Sequence, residues 1–429
     1  MKKKKIAAPV KVLLALFSAT AVSAAAFGIY QLIPTGEVVL PESSLPPESS
    51  ALSEPSLPSK PESEPPPDPS IVRIKSAGDN LIHNSIYEQA AARAEGDGYD
   101  FTYAYENIAG IVADADISTL NQETVIAPDY EPSTYPCFNS PPELAETMTA
   151  IGFDVFNAAN NHVLDKGEKG LVNCLTFWRE NYPDYPVTGA YLDKEDFDDL
   201  RLMEKNGLTF AFLGATELTN GLSLPSGSEV VLMESTNEAM LKARVEAARK
   251  KADVVLMNIH WGNEYTHTPT DRQRDLAQKL ADWGVDVIIG HHPHVLQPVE
   301  MLAAADGREV LAVFSLGNFI SAQDRPARMV GGILDYTIRR ETPESPIEIT
   351  DVSFIPTITH YDAGFRNNRL YPLTAYTAEL AQSHGVRGKN PEFSLDYIHQ
   401  LLDDVIYTEQ ANFLAPPDWA EKGAGDAGA

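Results

Sequence analysis

Five apolar runs in this sequence each end in side chains of the kind that hold a divalent cation. Ile71 to Ala77 leads into Gly78-Asp79-Asn80-Leu81-Ile82-His83, and Ala115 to Leu120 leads into Asn121-Gln122-Glu123. Phe153 to Ala159 leads into Asn160-Asn161-His162-Val163-Leu164-Asp165-Lys166-Gly167. Val254 to Ile259 leads into His260-Trp261-Gly262-Asn263-Glu264-Tyr265, and Val285 to Ile289 into Gly290-His291-His292-Pro293-His294. Carboxylate oxygens, amide oxygens and neutral imidazole nitrogens together suit manganese, iron or zinc. His292 and His294 leave a strand two residues apart and can reach one cluster if the chain bends at Pro293, whose ring fixes φ.

Each segment taken alone has a plainer explanation. Asp79 could be a turn residue, Asn160 and Asn161 could cap a helix beginning near Asp165, and His260 could be a satisfied core histidine. Three imidazoles within His291 to His294 have little structural use. The functional reading rests on the five clusters together, because the plain one must then succeed five times independently.

The runs are of strand length and alternate with stretches of helical period, which predicts an α/β architecture. Ligands of open α/β sheets sit beyond the carboxyl ends of the strands, so the five clusters should converge. Thr270 is a predicted helix cap, with Leu276, Ala277, Leu280 and Ala281 on one face, Gly284 as the stop and a strand from Val285 to Ile289. Beyond about Arg340 the pattern gives a strand-like stretch, Ile347 to Ile358, and a helix-like stretch, Phe393 to Ile406.

In order and wording these segments resemble the CapA family of poly-γ-glutamate capsule proteins. The resemblance spans about Ile71 to Tyr336 and includes Ala77-Gly78-Asp79, Asn121-Gln122-Glu123, Ala159-Asn160-Asn161-His162, His260-Trp261-Gly262, Gly290 to Pro298, and Ser315-Leu316-Gly317-Asn318-Phe319. It implies a fold similar to the calcineurin-like metallophosphoesterases, a sandwich of two mixed sheets flanked by helices with a metal site at the strand ends. Carried over residue by residue, it implies Asp79, Asn161, His260, His292 and His294 as metal ligands. His162 becomes the catalytic acid or electrostatic group, with Asp165 and Glu264 as further catalytic candidates. The superfamily's Asp-x-His motif is broken here by Leu81, unless His83 reaches the metal. Its bridging Asp is also missing, and Glu123 is the candidate replacement. One or two divalent ions are therefore expected. His83, Asn121, Asn160, His291 and Asn318 form a second set, able to bind metal or substrate.

The implied role is production, export or attachment of poly-γ-glutamate. The site would act as a phosphoesterase-like hydrolase or on a γ-glutamyl amide, or the protein would be a non-catalytic polymer-binding accessory subunit of a synthase complex. Ligation within this chain is not expected, because no GxxxxGK nucleotide loop occurs.

The 429 residues, 43% of them hydrophobic, suffice for one large domain with extensions. A formal net charge of −28 argues against nucleic-acid binding, and an anionic ligand would need a local exception to the repulsion. Arg325, Arg328 and Arg366 could line such a path, although solvated surface arginines are the ordinary reading. Cys137 and Cys174 have no metal or dithiol spacing and could pair or stay free.

At the amino end, residues 1–11 form a basic tail and 12–33 an apolar run long enough to span a bilayer. The basic flank predicts an amino terminus in the cytoplasm with the rest of the chain outside, and the apolar run continuing to Ile33 predicts an uncleaved single-pass anchor in the cell membrane. The small residues Ser23 to Ala26 keep a cleaved signal peptide as the alternative. Residues 34–70, rich in Pro, Ser and Glu, read as a disordered spacer. The domain is expected over 71–345, with a C-terminal extension over 346–415 and a flexible tail at 416–429. Expected partners are the membrane, an anionic polymer or phosphoester, and capsule synthase subunits.

Overall fold

Strands buried on both faces should be apolar at successive positions, with even and odd side chains entering different cores. The chain shows this repeatedly. In the computed structural model, residues 69–417 and Trp419 are described, all within one compact unit, Pro65–Ala429. The predicted basic tail, membrane segment and most of the spacer and tail lie outside the described residues. Among the described residues no helix is long and apolar enough to cross a membrane.

The strands run in chain order β1 (Ser70–Asn80), β2 (Ile117–Asn121), β3 (Val155–Asn157), β4 (Val187–Thr188), β5 (Ala190–Tyr191), β6 (Arg201–Lys205), β7 (Leu208–Thr216), β8 (Val231–Leu232), β9 (Val254–His260), β10 (Val287–His291), β11 (Leu296–Ala303), β12 (Glu309–Leu316), β13 (Asn318–Ile320), β14 (Val330–Arg340), β15 (Glu348–Asp362) and β16 (Arg366–Pro372). One mixed sheet has the order β16-β15-β14-β1-β2-β3-β4, with β13 also paired to β1. A second has the order β11-β12-β10-β9-β7-β6, and β5 and β8 form a separate two-stranded sheet. The predicted α/β class with mixed sheets is therefore what the protein adopts.

Side-chain alternation defines three cores. Val72, Ile74, Ile117 and Val155 of the first sheet meet Phe210, Phe212, Leu256, Ile289 and Val313 of the second in one cluster. Ala77, Leu120 and Phe156 face the opposite way, toward Leu144 and Met148 of helix Glu143–Ala150 and Leu171 of helix Gly167–Asn181. Ala211, Leu213, Val255, Met257 and Ile288 face Leu241, Val245, Leu276 and Leu280 of helices Glu238–Arg249 and Asp271–Trp283. The layers are thus helix, sheet, sheet, helix.

The helix expected after Thr270 has a full capping box, Thr270 with Gln273, and stops at Gly284 with φ 122°. The stretch expected as a strand from Ile347 runs on to Asp362, and the helix expected from Phe393 spans Leu395–Val405. Residues 346–415 contribute β15 and β16 to the first sheet and Phe354, Ile358, Leu402 and Ile406 to the inter-sheet core.

The sheets meet closely where the motifs lie. Asp79 N–H donates to Gly317 O at 2.9 Å, and a Cβ on Gly78 would lie 2.1 Å from that same oxygen. Only glycine lets the end of β1 approach the turn between β12 and β13 this way.

Candidate metal centre

Asp79 is the last residue but one of β1, Asn121 closes β2, His260 closes β9 and His291 closes β10. The strands belong to both sheets, so the single open-sheet crevice expected from sequence is instead a junction between two sheets. Glu123 follows β2, Asn160 to His162 lie in the turn after β3, and His292 to His294 form the turn after β10. Helix Gly167–Asn181 starts later than expected, with Lys166 as its cap residue, so Asn160 and Asn161 do not cap it.

Asp79 is wholly buried. Its Oδ2 lies 3.1 Å from His294 Nδ1 and its Oδ1 3.4 Å from His291 Nδ1, while Asn121 Nδ2 donates to Oδ1 at 2.8 Å. Glu123 is equally buried, with Oε1 3.5 Å from His294 Nε2 and 3.9 Å from His260 Nε2. Neither carboxylate oxygen of Glu123 has a hydrogen-bond partner. His260 Nε2 lies 3.1 Å from Asn161 Oδ1 and 3.1 Å from His292 Nδ1. Two groups of ligand-type atoms result, Asp79 with Glu123 and His294, and Glu264 with His292 and His294. His294 belongs to both.

These residues fit a divalent cation. An unpartnered carboxylate in a closed interior costs several kcal/mol unless a positive charge or proton meets it. Burial pushes the Glu123 carboxyl well above the usual carboxylate range. Burial works in the same direction on Asp79, yet the adjacent His291 and His294 imidazoles outweigh it and hold that group well below. Burial also opposes charge on His294, but the Glu123 and Asp79 carboxylates raise it to about 9. His260 is pushed well down, and His292 to about 3, by burial first and by neighbouring imidazoles second. Neutral His260 and His292 are in the state in which imidazole ligates, and a bound cation would displace the protons that Glu123 and His294 otherwise hold. The backbone is strained here as well, with φ of 97° at His292, 56° at His294 and 65° at Tyr265.

The remaining sequence candidates divide. His162 Nδ1 lies 2.7 Å from Asp165 Oδ2, which also accepts from Phe138 N–H at 2.6 Å, so Asp165 orients His162 and is absent from both ligand groups. Asn318 Oδ1 lies 3.0 Å from His294 Nδ1. Asn160 Nδ2 donates to Gln122 O, and its Oδ1 accepts from His162 N–H. His291 Nε2 contacts Asn258 Oδ1 at 3.2 Å. Glu264 is exposed at the rim. His83 does not fill the place left by Leu81: its Nδ1 accepts from Ala322 N–H at 3.2 Å, its ring packs edge-on to Phe138 at 5.3 Å, and it is in neither ligand group. The two cysteines are free, Cys137 exposed and Cys174 buried.

Sequence reasoning missed Asn157, which donates to Asn121 Oδ1 at 2.9 Å, Asn258, and Asn220, 3.3 Å from Asn161. Asn157 and Asn258 were detectable as single amides inside otherwise apolar strands.

The sequence model of the bacterial capsule synthesis protein family PGA_cap matches residues 73–323. The chain belongs to this family. PGA biosynthesis protein CapA of Bacillus subtilis (strain 168) is 31% identical over 221 residues, covering 50% of this chain and 56% of the relative. Capsule biosynthesis protein CapA of Bacillus anthracis is 32% identical over 200 residues, covering 45% and 47%. The match thus spans about half the length of these curated relatives. Among solved structures, Haemophilus influenzae NAD nucleotidase aligns at TM-score 0.40 and 14% identity over 83% of this chain and 60% of its own. A putative 5'-nucleotidase from Staphylococcus aureus aligns at 0.41 and 13% over 78% and 58%. Likeness at that level carries no functional weight.

Proposed function

We propose that this PGA_cap protein is a metal-dependent hydrolase of calcineurin-like type, anchored outside the cell membrane and acting in poly-γ-glutamate capsule or surface-polymer biosynthesis or export. The carrying observation is the buried Glu123 carboxylate, neither oxygen hydrogen-bonded, with Oε1 3.5 Å from His294 Nε2 and Asp79 in the same ligand group. Asp79, Glu123 and His294 would hold one manganese, iron or zinc ion. His292, with Glu264, His260 and Asn161, would hold a second. When bound, such an ion supplies Lewis-acid polarisation of a phosphoryl or γ-glutamyl carbonyl group.

The chain's own residues do the rest. His162 Nδ1 is committed to Asp165, so proton transfer to a leaving group runs through Nε2. Asn220, Asn161 and His260 form a polar string that fixes the turn carrying His162. Asn318 and Asn121 hold His294 and Asp79 in place.

Elemental analysis of the full chain, beside a His292→Ala/His294→Ala double variant, tests the reading. Near-stoichiometric transition metal is expected in the wild type and little in the variant. No metal in either protein after manganese or zinc is supplied would leave a polymer-binding accessory subunit of a synthase as the better account. The anchor is tested separately by alkaline extraction of membranes: the full chain should stay in the pellet, and release into the supernatant would contradict it.

A further inference from the structure

Arg328 presents an unusual combination of position and unsatisfied chemistry. Its guanidinium lies 3.4 Å above the centre of the Tyr265 ring, and its side chain makes no hydrogen bond or ion pair among the described residues. The same ring stacks on His294, with centroids 6.1 Å apart. Tyr265 is pinned there by its N–H, which donates to Pro293 O at 2.7 Å. The backbone of Arg328 is pinned from the other side, because Asn318 Nδ2 donates to Arg328 O at 3.0 Å while Asn318 Oδ1 lies 3.0 Å from His294 Nδ1. Two independent tethers therefore hold one half-buried cation beside a candidate metal ligand.

Stacking uses the face of a guanidinium and leaves its in-plane N–H donors free. Neighbouring cations are differently placed: Arg325 lies 4.0 Å from Asp324, Lys389 donates to Asp324 at 3.0 Å, and Arg272 pairs with Glu217 at 2.5 Å. Arg328 is not spent on Glu264 either, since no pair within 4.0 Å forms between them. In a chain of net charge −28, Arg328 is a tethered cation with no carboxylate within 4.0 Å among the described residues, and the Asp324 carboxyl, lowered first by Lys389 and also by the Arg328 charge, is already paired with Lys389.

We infer that Arg328, seated on Tyr265, is an oxyanion-binding specificity residue that holds a carboxylate or phosphate of the substrate next to the candidate metal centre. The inference deepens the hydrolase reading and rests on it for the word substrate. A planar guanidinium offers such a group paired N–H···O bonds, which a lysine ammonium cannot match in geometry.

The test is calorimetric titration of the full chain, as wild type, Arg328→Met and Arg328→Lys, with a short γ-glutamyl oligomer in one arm and inorganic phosphate in the other. Metal content and thermal midpoint are measured on the same samples. At least one anion should bind the wild type, and Arg328→Met should weaken it by about tenfold or more. Arg328→Lys should lie between them, with metal content and thermal midpoint unchanged. The arm that responds distinguishes carboxylate from phosphate. Equal binding by Arg328→Met, or no binding of either anion by the wild type, overturns the inference. Arg328-dependent binding in a protein that holds no metal would keep the subsite and remove the hydrolase reading. Should Arg328→Met fail to fold, Arg328→Gln makes the same comparison.

Discussion

Asp165 shows how a residue can matter to the reaction without touching a ligand. It fixes the ring of His162 and, through the Phe138 N–H, ties it to the loop before helix Glu143–Ala150. Asp165→Asn should therefore lower kcat about 10- to 100-fold on whichever phosphoester or γ-glutamyl substrate the wild type turns over, and leave metal content unchanged. Loss of metal in that variant would mean that Asp165 supports the ligand set instead.

Among the elements, the short helix Ala378–Ser383 and the turn Gly385–Gly388 are joined by His384, whose Nδ1 accepts from Val386 N–H and whose Nε2 contacts Thr359 O at 2.8 Å. Burial pushes His384 down to about 3, against the Thr359 carbonyl, which raises it. His360 is lowered in the same way, with Asp362 opposing the shift, and Tyr361 and Phe393 pack against the His384 ring. An unfolded histidine titrates near 6.5. Below that pH the unfolded chain takes up a proton that folded His384 refuses until about 3, so stability falls as pH drops through this window. Urea unfolding between pH 7 and 4 should show a shallower loss in His384→Asn, which can keep the turn cap. An unchanged slope would assign the acid sensitivity elsewhere.

For the whole molecule, the sheet that carries Asp79 is completed from the far end of the chain. β14 pairs antiparallel with β1 on one side and with β15 on the other, and Phe354, Ile358, Leu402 and Ile406 fill the core between the sheets. Ending the chain after Arg340 would expose the edge of β14 and open that core. Such a protein should be insoluble or lack a cooperative unfolding transition by circular dichroism. A soluble, cooperatively folded product would show that β15 and β16 are accessory.

The strands and their polar ends were legible in the sequence because doubly buried strands leave long apolar runs, and an amide or imidazole at the end of one stands out against them. The capped helix after Thr270 was legible for a similar local reason: cap, apolar face and glycine stop all act within a few residues of one another. The sequence also carried the family pattern. Tertiary structure alone decided that the five ends come from two sheets, since pairing order depends on contacts between residues far apart, such as Asp79 with Asn318. It decided that Glu123 has no hydrogen bond and meets His294 instead, that His83 is turned to Ala322, and that Asp165 serves His162. It also decided that Arg328 rests on Tyr265. Residue type states what a side chain can bind, but which partner it meets is fixed only when distant segments pack and burial removes water as the competing partner.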